Sequence, residues 1–296
     1  MRLLRSIGTA YRGADPGGDP VGHEESRAAL DDVRPASLAG KAAPIWDAAG
    51  HLRNTVRPPS RITPGGGDGD DLSWGFVHRR VDHDLAARLV GDRPEGVSVN
   101  DVLLAALHLA IDRWNRERGD DPEKLSLVMP VNLRPEAWRY DVVGMYALFE
   151  SVTTEPAHRQ DPAATLERVA DQTAELERPD RAAAFLESLE LIPHGTPVGL
   201  EQRLPELLRG PRRGLLDTAM LSNLGRIPAP LPGLDGEEPA AVWFTPPAWK
   251  PTPLGVGVAT VGGTVHLGFR YLRTTFDDDA AAAFASLYLD QLDEAA

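Results

Sequence analysis

The stretch from Ser98 to Gly119 places the strongest constraint on what this chain can fold into. Ser98 opens a helix as its N-cap, with Asp101 in the reciprocal capping-box position, and the pattern runs from Val99 to about Arg118. Between Val102 and Ile111 nearly every residue is apolar, on all sides of the helix. Such a helix has to be covered by other layers on most of its surface.

The layers are legible nearby. Leu125–Val131 is a near-continuous apolar run, the pattern of a buried strand, and Val142–Phe149 predicts the next one. Further strands are expected at Trp74–Val81, Thr218–Asn223, Ala241–Thr245, Leu254–Val261 and Thr264–Tyr271, the last two joined by the two-residue turn Gly262-Gly263. Helical spacing marks His83–Val90, Arg181–Leu191, Leu200–Leu208 and a segment opened by Asp277 to Asp279 that reaches Leu292. Asp161 and Pro162 start another helix, whose Leu166, Val169, Thr173 and Leu176 form one stripe. Strands and helices are mixed without strict alternation, and the chain closes on a hairpin plus a helix. This order predicts an α/β fold of the α+β kind, a mixed sheet layered with helices, in preference to a Rossmann or barrel arrangement.

Residues 1–71 differ from the rest. Leu3, Leu4, Ile7 and Tyr11 share one side of a helix that stops at Gly13; Pro, Gly and Asp then dominate to Asp71, interrupted by a short helical pattern at Ala36–Trp46. We expect 1–71 to be a helix plus a crossover linker, and 72–296 to be the main folded unit.

Composition narrows the chemistry. The 296 residues contain no cysteine, which excludes disulfides, zinc-thiolate sites, iron–sulfur clusters and a cysteine nucleophile. Thirty-one Lys and Arg face 44 Asp and Glu, a formal charge of -13, the wrong sign for a broad phosphate-binding surface. No apolar run approaches the roughly 20 residues that span a bilayer, so a cytoplasmic protein without a transmembrane segment is expected.

No G-x-S-x-G, Walker loop, G-x-G-x-x-G after a strand or H-E-x-x-H occurs. Gly255-Val-Gly257 lies inside a predicted strand, where glycine allows a close backbone approach or a bend. The histidines read individually. On a strand, His78 and Asp82 share a face about 13 Å apart, too far to act together. Asp82-His83-Asp84 sits where a helix starts and reads as capping. His108, between Leu107 and Leu109, reads as a core histidine bonded to a neighbour. His194 falls in a loop, and His266, facing the same side as Thr264 and Arg270, is a candidate pocket residue. His108, His194 and His266 have no carboxylate beside them in sequence to orient them as a base, and no metal site is expected.

From Trp74 onward the ordered segments resemble the C-terminal lobe of the condensation-domain and wax-ester-synthase-like acyltransferases, relatives of chloramphenicol acetyltransferase. Ser98-Val-Asn-Asp-Val-Leu-Leu-Ala-Ala-Leu107 is similar to a helix these proteins open with a small hydroxyl residue and Asn-Asp. Met129-Pro-Val-Asn-Leu-Arg134 is similar to their Pro-Val-x-x-Arg strand end, with Gly144 at the distance of the next strand. Leu221-Ser-Asn-Leu-Gly225 is similar to their Ser-Asn strand terminus, and Pro253 to Tyr271 with the acid-capped last helix to their closing hairpin and helix.

The resemblance implies a chloramphenicol acetyltransferase-like fold and acyl transfer from a coenzyme A or carrier-protein thioester to an alcohol or amine, with no cofactor. It implies that Ser222 and Asn223 line the substrate channel and that Arg134 holds the lobes in register. The family's general base lies in a His-His-x-x-x-Asp-Gly motif of the N-terminal half, and no His-His pair occurs here, so no catalytic residue is assigned. Nor does any asparagine occur between Gly144 and Asn223, where family strands carry one near the glycine. The expectation is therefore a C-terminal lobe with a remnant of the N-terminal one, truncated ahead of its first helix and inactive alone. Its expected partners are a missing N-terminal half, a second copy in a homodimer or an acyl carrier protein. The alternative is a non-catalytic binding or partner protein with an acyltransferase-derived fold.

Overall fold

A computed structural model describes residues 2–18, 21–22, 25, 58–132, 134, 138, 142, 147–178, 217–227, 241–247 and 252–296. Helix α1 spans Arg2–Tyr11. Then come β1 (Trp74–Arg80), α2 (His83–Gly91), α3 (Val99–Arg116), β2 (Leu125–Asn132), β3 (Ala147–Thr154), α4 (Pro162–Leu176), β4 (Ala219–Arg226), β5 (Leu254–Val261), β6 (Thr264–Leu272) and α5 (Asp278–Ala295). The expected Ala36–Trp46, Arg181–Leu191 and Leu200–Leu208 helices, Gly144 and His194 lie outside the described residues.

The six strands form one mixed sheet in the order β1-β6-β5-β4-β2-β3. β2, β4 and β5 run parallel and the other neighbours antiparallel. Helices α3, α4 and α5 pack against one face of it. Leu103, Leu104, Leu107 and Ile111 of α3 are all fully buried, as an all-round apolar helix requires. They meet Leu127 of β2, Val256 of β5, Leu267 and Phe269 of β6, and Phe284 and Tyr288 of α5 in a single core.

Helix α3 is anchored at both ends by polar contacts. At its start the capping box forms as expected: Asp101 N–H donates to Ser98 Oγ (3.2 Å) and Ser98 N–H to Asp101 Oδ2 (2.7 Å). The other Asp101 oxygen accepts from Thr173 Oγ1 of α4 at 2.5 Å. Near its end, Asp112 Oδ1 accepts from Arg159 Nε at 2.7 Å; the Arg159 side chain is fully buried. Arg159 Nη1 donates to Thr154 O (2.7 Å) and Oγ1 (3.1 Å), and Nη2 to Pro122 O (2.5 Å) and Glu123 O (2.7 Å). Those contacts account for the whole donor capacity of the guanidinium, which is what makes a buried cation tolerable.

Two strand expectations need correction. The strand placed at Val142–Phe149 lies further on, at Ala147–Thr154, with Leu125 opposite Thr154 and Asn132 opposite Ala147. As an edge strand it needs only one covered face, and Val152 supplies the core contact, so its polar stretch Glu150-Ser-Val-Thr-Thr154 is admissible. The strand placed at Ala241–Thr245 is absent: residues 241–247 belong to no strand or helix. They cross the sheet face opposite the helices, where Phe244 O sits over Gly257 and Gly268, which are register partners on β5 and β6. A Cβ would come within 2.2 Å of that oxygen at Gly257 and 2.5 Å at Gly268, so only glycine admits the crossing.

Residues 58–66 also pack onto this body. Ile62 is buried, Ser60 N–H donates to Lys124 O (2.7 Å), Thr63 O accepts from Trp114 Nε1 (2.9 Å) and Gly65 bridges Phe276.

Substitutions at the two anchoring features should lower stability in distinct ways. Arg159→Ala leaves the Asp112 carboxylate without its buried partner and should cost about 3–5 kcal/mol in urea unfolding. Gly268→Ala should cost about 1–3 kcal/mol through overpacking and speed amide exchange across 241–247, while exchange in α3 stays slow.

Candidate functional site

Because β2, β4 and β5 are parallel, their C-terminal ends share one edge of the sheet, the edge where open α/β sheets place ligand crevices. Three of the motifs converge there. Asn100, in the first turn of α3, donates from Nδ2 to Met129 Sδ of β2 at 3.5 Å. Asn132 Oδ1, at the end of β2, accepts from Arg134 N–H at 3.2 Å. Val99 and Leu103 of α3 share a cavity wall with Asn223 of β4.

At Asn223 the β4–β5 register shifts, and Asn223 Oδ1 accepts from Gly225 N–H at 2.8 Å, where Gly225 has φ +67°. This asparagine shapes the end of the strand by fixing the bulge at Gly225, after which Arg226 pairs with Thr260 of β5.

The sequence-predicted residues do not form one cluster. Ser222 pairs with Gly257, which pairs with Gly268, so all three lie on the face crossed by residues 241–247. His266, two residues from Gly268 on β6, lies on that face as well. Asn223, one residue from Ser222, faces the helices. Ser222 and His266 stand two strands apart, about 10 Å across the sheet, too far for a direct hydrogen bond. Arg134 lies half-buried just past β2.

The Ser222 face carries an aromatic and basic cluster that the sequence analysis did not assemble. Trp243 stacks on His78 with ring centroids 4.9 Å apart and meets His266 edge-on at 5.6 Å. Arg270 lies over Trp74 at 4.4 Å. Phe76 is 54% exposed and Trp243 44%, so part of this face is bare among the described residues. His266 itself is buried, and its Nδ1 has no hydrogen-bond partner. Burial, and secondarily the charge of Arg80, lowers its pKa, so it is neutral at pH 7. The only signal that could have joined these residues was the strand parity of Trp74, Phe76 and His78. The place of Trp243 depended on a segment that read as a strand.

His108 is a core residue, with Nδ1 2.9 Å from Thr154 Oγ1 and no exposure. Burial, reinforced by Arg159, lowers its pKa to about 3. Asp82 caps α2 by accepting from Asp84 N–H at 2.9 Å, as expected, and leaves His83 in solvent. Among the described residues no group of three or more His, Cys, Asp or Glu is placed to hold a metal ion, and no helix is long and apolar enough to cross a membrane.

The architecture is shared with known structures at low identity. The epimerization domain from the third module of tyrocidine synthetase B superimposes with a TM-score of 0.65 at 12% identity, covering 99% of this chain and 64% of that one. The condensation domain from the monacolin K polyketide synthase MokA gives 0.62 at 13%, covering 99% and 65%. The TRI3 trichothecene 15-O-acetyltransferase of Fusarium sporotrichioides gives 0.55 at 13%, covering 87% and 53%. The protein therefore has the chloramphenicol acetyltransferase-like fold of condensation domains, and it spans less than two thirds of these neighbours' length. No protein-family model matches the chain. Two sequences of Mycobacterium tuberculosis, the uncharacterized proteins Rv2305 of strain H37Rv and MT2362 of strain CDC 1551, are 33% identical over 310 residues, which cover 99% of this chain and 68% of theirs. The chain belongs to the family of these two proteins.

Burial of His108 has a measurable consequence. In the unfolded chain it protonates near pH 6.5, and in the folded state only near pH 3, so the unfolded state binds more protons between these values. Its contribution to stability is complete above about pH 6.5 and is lost as pH falls, by up to about 1.4 kcal/mol per pH unit. His108→Asn removes the titration. The stability gap between wild type and this variant, measured by urea unfolding, should shrink from pH 7 to pH 4; a constant gap would contradict the assignment.

Proposed function

We propose that this chain is the thioester-binding lobe of an acyl-transfer protein, handling an acyl group carried on coenzyme A or on a carrier-protein pantetheine arm for transfer to an alcohol or amine. The observation that carries this reading is the convergence of the Ser98–Leu107, Met129–Arg134 and Ser222–Asn223 motifs at one edge of a condensation-type sheet. A fold by itself assigns no activity; a set of motifs meeting at the ligand-binding edge is a statement about a site.

In this reading the acceptor O–H or N–H loses its proton to a general base as the acceptor attacks the thioester carbonyl, and the thiol leaves with a proton. Neither His108 nor His266 provides that base. His108 is walled in by the core, and His266 has no carboxylate to orient it. The base comes from a His-His-x-x-x-Asp-Gly segment outside these 296 residues, and the partly bare face around Phe76 and Trp243 packs against the lobe that carries it. The exposed stripe Leu3, Ile7 and Tyr11 of α1 belongs to the same contact. Arg134 helps hold that lobe, and Ser222 lines the passage between the two. The absence of the histidine pair equally suits a non-catalytic partner protein, and one assay separates the two.

The absence of cysteine makes the assay clean, because a thiol reagent then reports only released coenzyme A or pantetheine. The 296-residue chain should bind acyl-coenzyme A in calorimetry yet release thiol at the uncatalysed rate with an amine acceptor. Adding a segment that bears the histidine motif should raise release at least about a hundredfold. Failure to bind acyl-coenzyme A or acyl-pantetheine at millimolar concentration overturns the thioester reading. Binding without release in the presence of that segment favours the partner protein. Release by the chain alone that is lost in His266→Ala would relocate the base.

A further inference from the structure

A cavity of about 540 Å³ lies on the helix side of the sheet, where α2 and the start of α3 part from the ends of β4 and β5. That volume is within the range of sites that enclose small ligands. It is on the opposite side of the sheet from Ser222 and His266, and its wall at Val99, Leu103 and Asn223 belongs to the motif edge on which the transfer reading rests. Its depth is apolar: Leu89, Leu103 and Val258 are buried core residues. Its rim includes Val90, 46% exposed, and the Gly262-Gly263 turn, so the cavity connects the core to solvent.

Two cations line it, Arg93 and Arg226. Arg93 is held in place by its terminal nitrogens, which donate to Val97 O (2.9 Å) on the connection between α2 and α3 and to Val90 O (3.2 Å) in the last turn of α2. Its Nε is buried and has no hydrogen-bond partner. Neither arginine forms an ion pair with a carboxylate among the described residues. A fixed guanidinium with a shielded, unused N–H beside an apolar cavity is a costly arrangement unless an anion completes it.

We infer that this cavity binds a single alkyl chain ending in a carboxylate, a free fatty acid, with the chain among Leu89, Leu103 and Val258 and the carboxylate on Arg93. The apolar depth suits a hydrocarbon, and the half-buried guanidinium of Arg93, whose Nε has no hydrogen-bond partner, suits a negative end. This inference shares a cavity wall with the proposed function but requires no acyl transfer.

Calorimetry with octanoate, decanoate and dodecanoate below their micelle concentrations tests it. Affinity should rise about fourfold per added methylene while the cavity fills. Arg93→Gln should weaken decanoate at least about tenfold and leave decanol unchanged, and Val90→Glu, at an exposed rim position, should also repel decanoate selectively. Leu103→Trp should abolish binding of both ligands; if that variant does not fold, as judged by circular dichroism, the two rim variants decide. Absence of saturable decanoate binding, or equal losses for decanoate and decanol in Arg93→Gln, overturns the inference. Decanoyl-pantetheine is the remaining arm: tighter binding than decanoate, insensitive to Arg93→Gln, would assign the cavity to the thioester's acyl chain and overturn the carboxylate role. Failure here leaves the thiol-release experiment untouched, because that assay reads cleavage of a thioester, which a free fatty acid does not contain.

Discussion

Arg159 is a buried cation on which three parts of the chain depend. In sequence it lies between Thr154, which ends β3, and Asp161, which caps α4. In space it reaches the Asp112 carboxylate of α3 and the carbonyls of Pro122 and Glu123 ahead of β2. With the guanidinium fully desolvated, each missing acceptor would leave a donor unsatisfied, so the positions of α3, the approach to β2 and the end of β3 are specified together. Arg116 takes the second Asp112 oxygen at 2.7 Å from a more exposed position, so the carboxylate is held from two sides. At the other end of α3, Asp101 serves its own capping box and also Thr173 of α4. The helix is thus positioned along its axis by polar contacts, while its apolar surface resists displacement sideways.

This fixation has a functional side. The first turn of α3 supplies Asn100 to Met129 and Val99 to the cavity wall, so a shift of the helix along its axis would disturb both. The far face of the sheet is specified by a different device, removal of side chains. Gly257 and Gly268 oppose each other on adjacent strands and leave a groove deep enough for the backbone at Phe244. The crossing delivers Trp243 to His78 and His266, so the aromatic cluster depends on two absent Cβ atoms as much as on the aromatic residues.

Sequence reasoning reached what is governed by local chemistry. The capping box at Ser98, the Pro162 helix start, the Leu166, Val169, Thr173 and Leu176 stripe, and the hairpin at Gly262-Gly263 all follow from short-range rules, and each is present. Gly257 was readable as a close-approach site because a glycine inside an apolar strand needs such a reason. What approaches it was not readable, because the crossing segment alternates like a strand, and alternation does not distinguish a chain lying within a sheet from one lying across it. The β3 shift has a similar origin: an edge strand with one covered face carries too few apolar residues for its limits to show. Arg159 escaped notice altogether, since a charged residue in a loop reads as solvated until its acceptors, distant in sequence, are brought to it.

The Ser-Asn pair at the end of β4 shows how strand parity divides labour. Adjacent residues on a strand face opposite sides of the sheet, so a motif read as one channel-lining pair is two residues with separate surroundings. Ser222 belongs to the glycine and histidine side, where another lobe is proposed to pack. Asn223 belongs to the helix side, where its amide fixes the bulge and its neighbours enclose the cavity. Any ligand contacting both would have to pass around the sheet edge, past the end of β4. That edge is where the β4–β5 register breaks and Gly225 bulges before Arg226 pairs with Thr260 again, which makes the irregular end of β4 the structural link between the two sides.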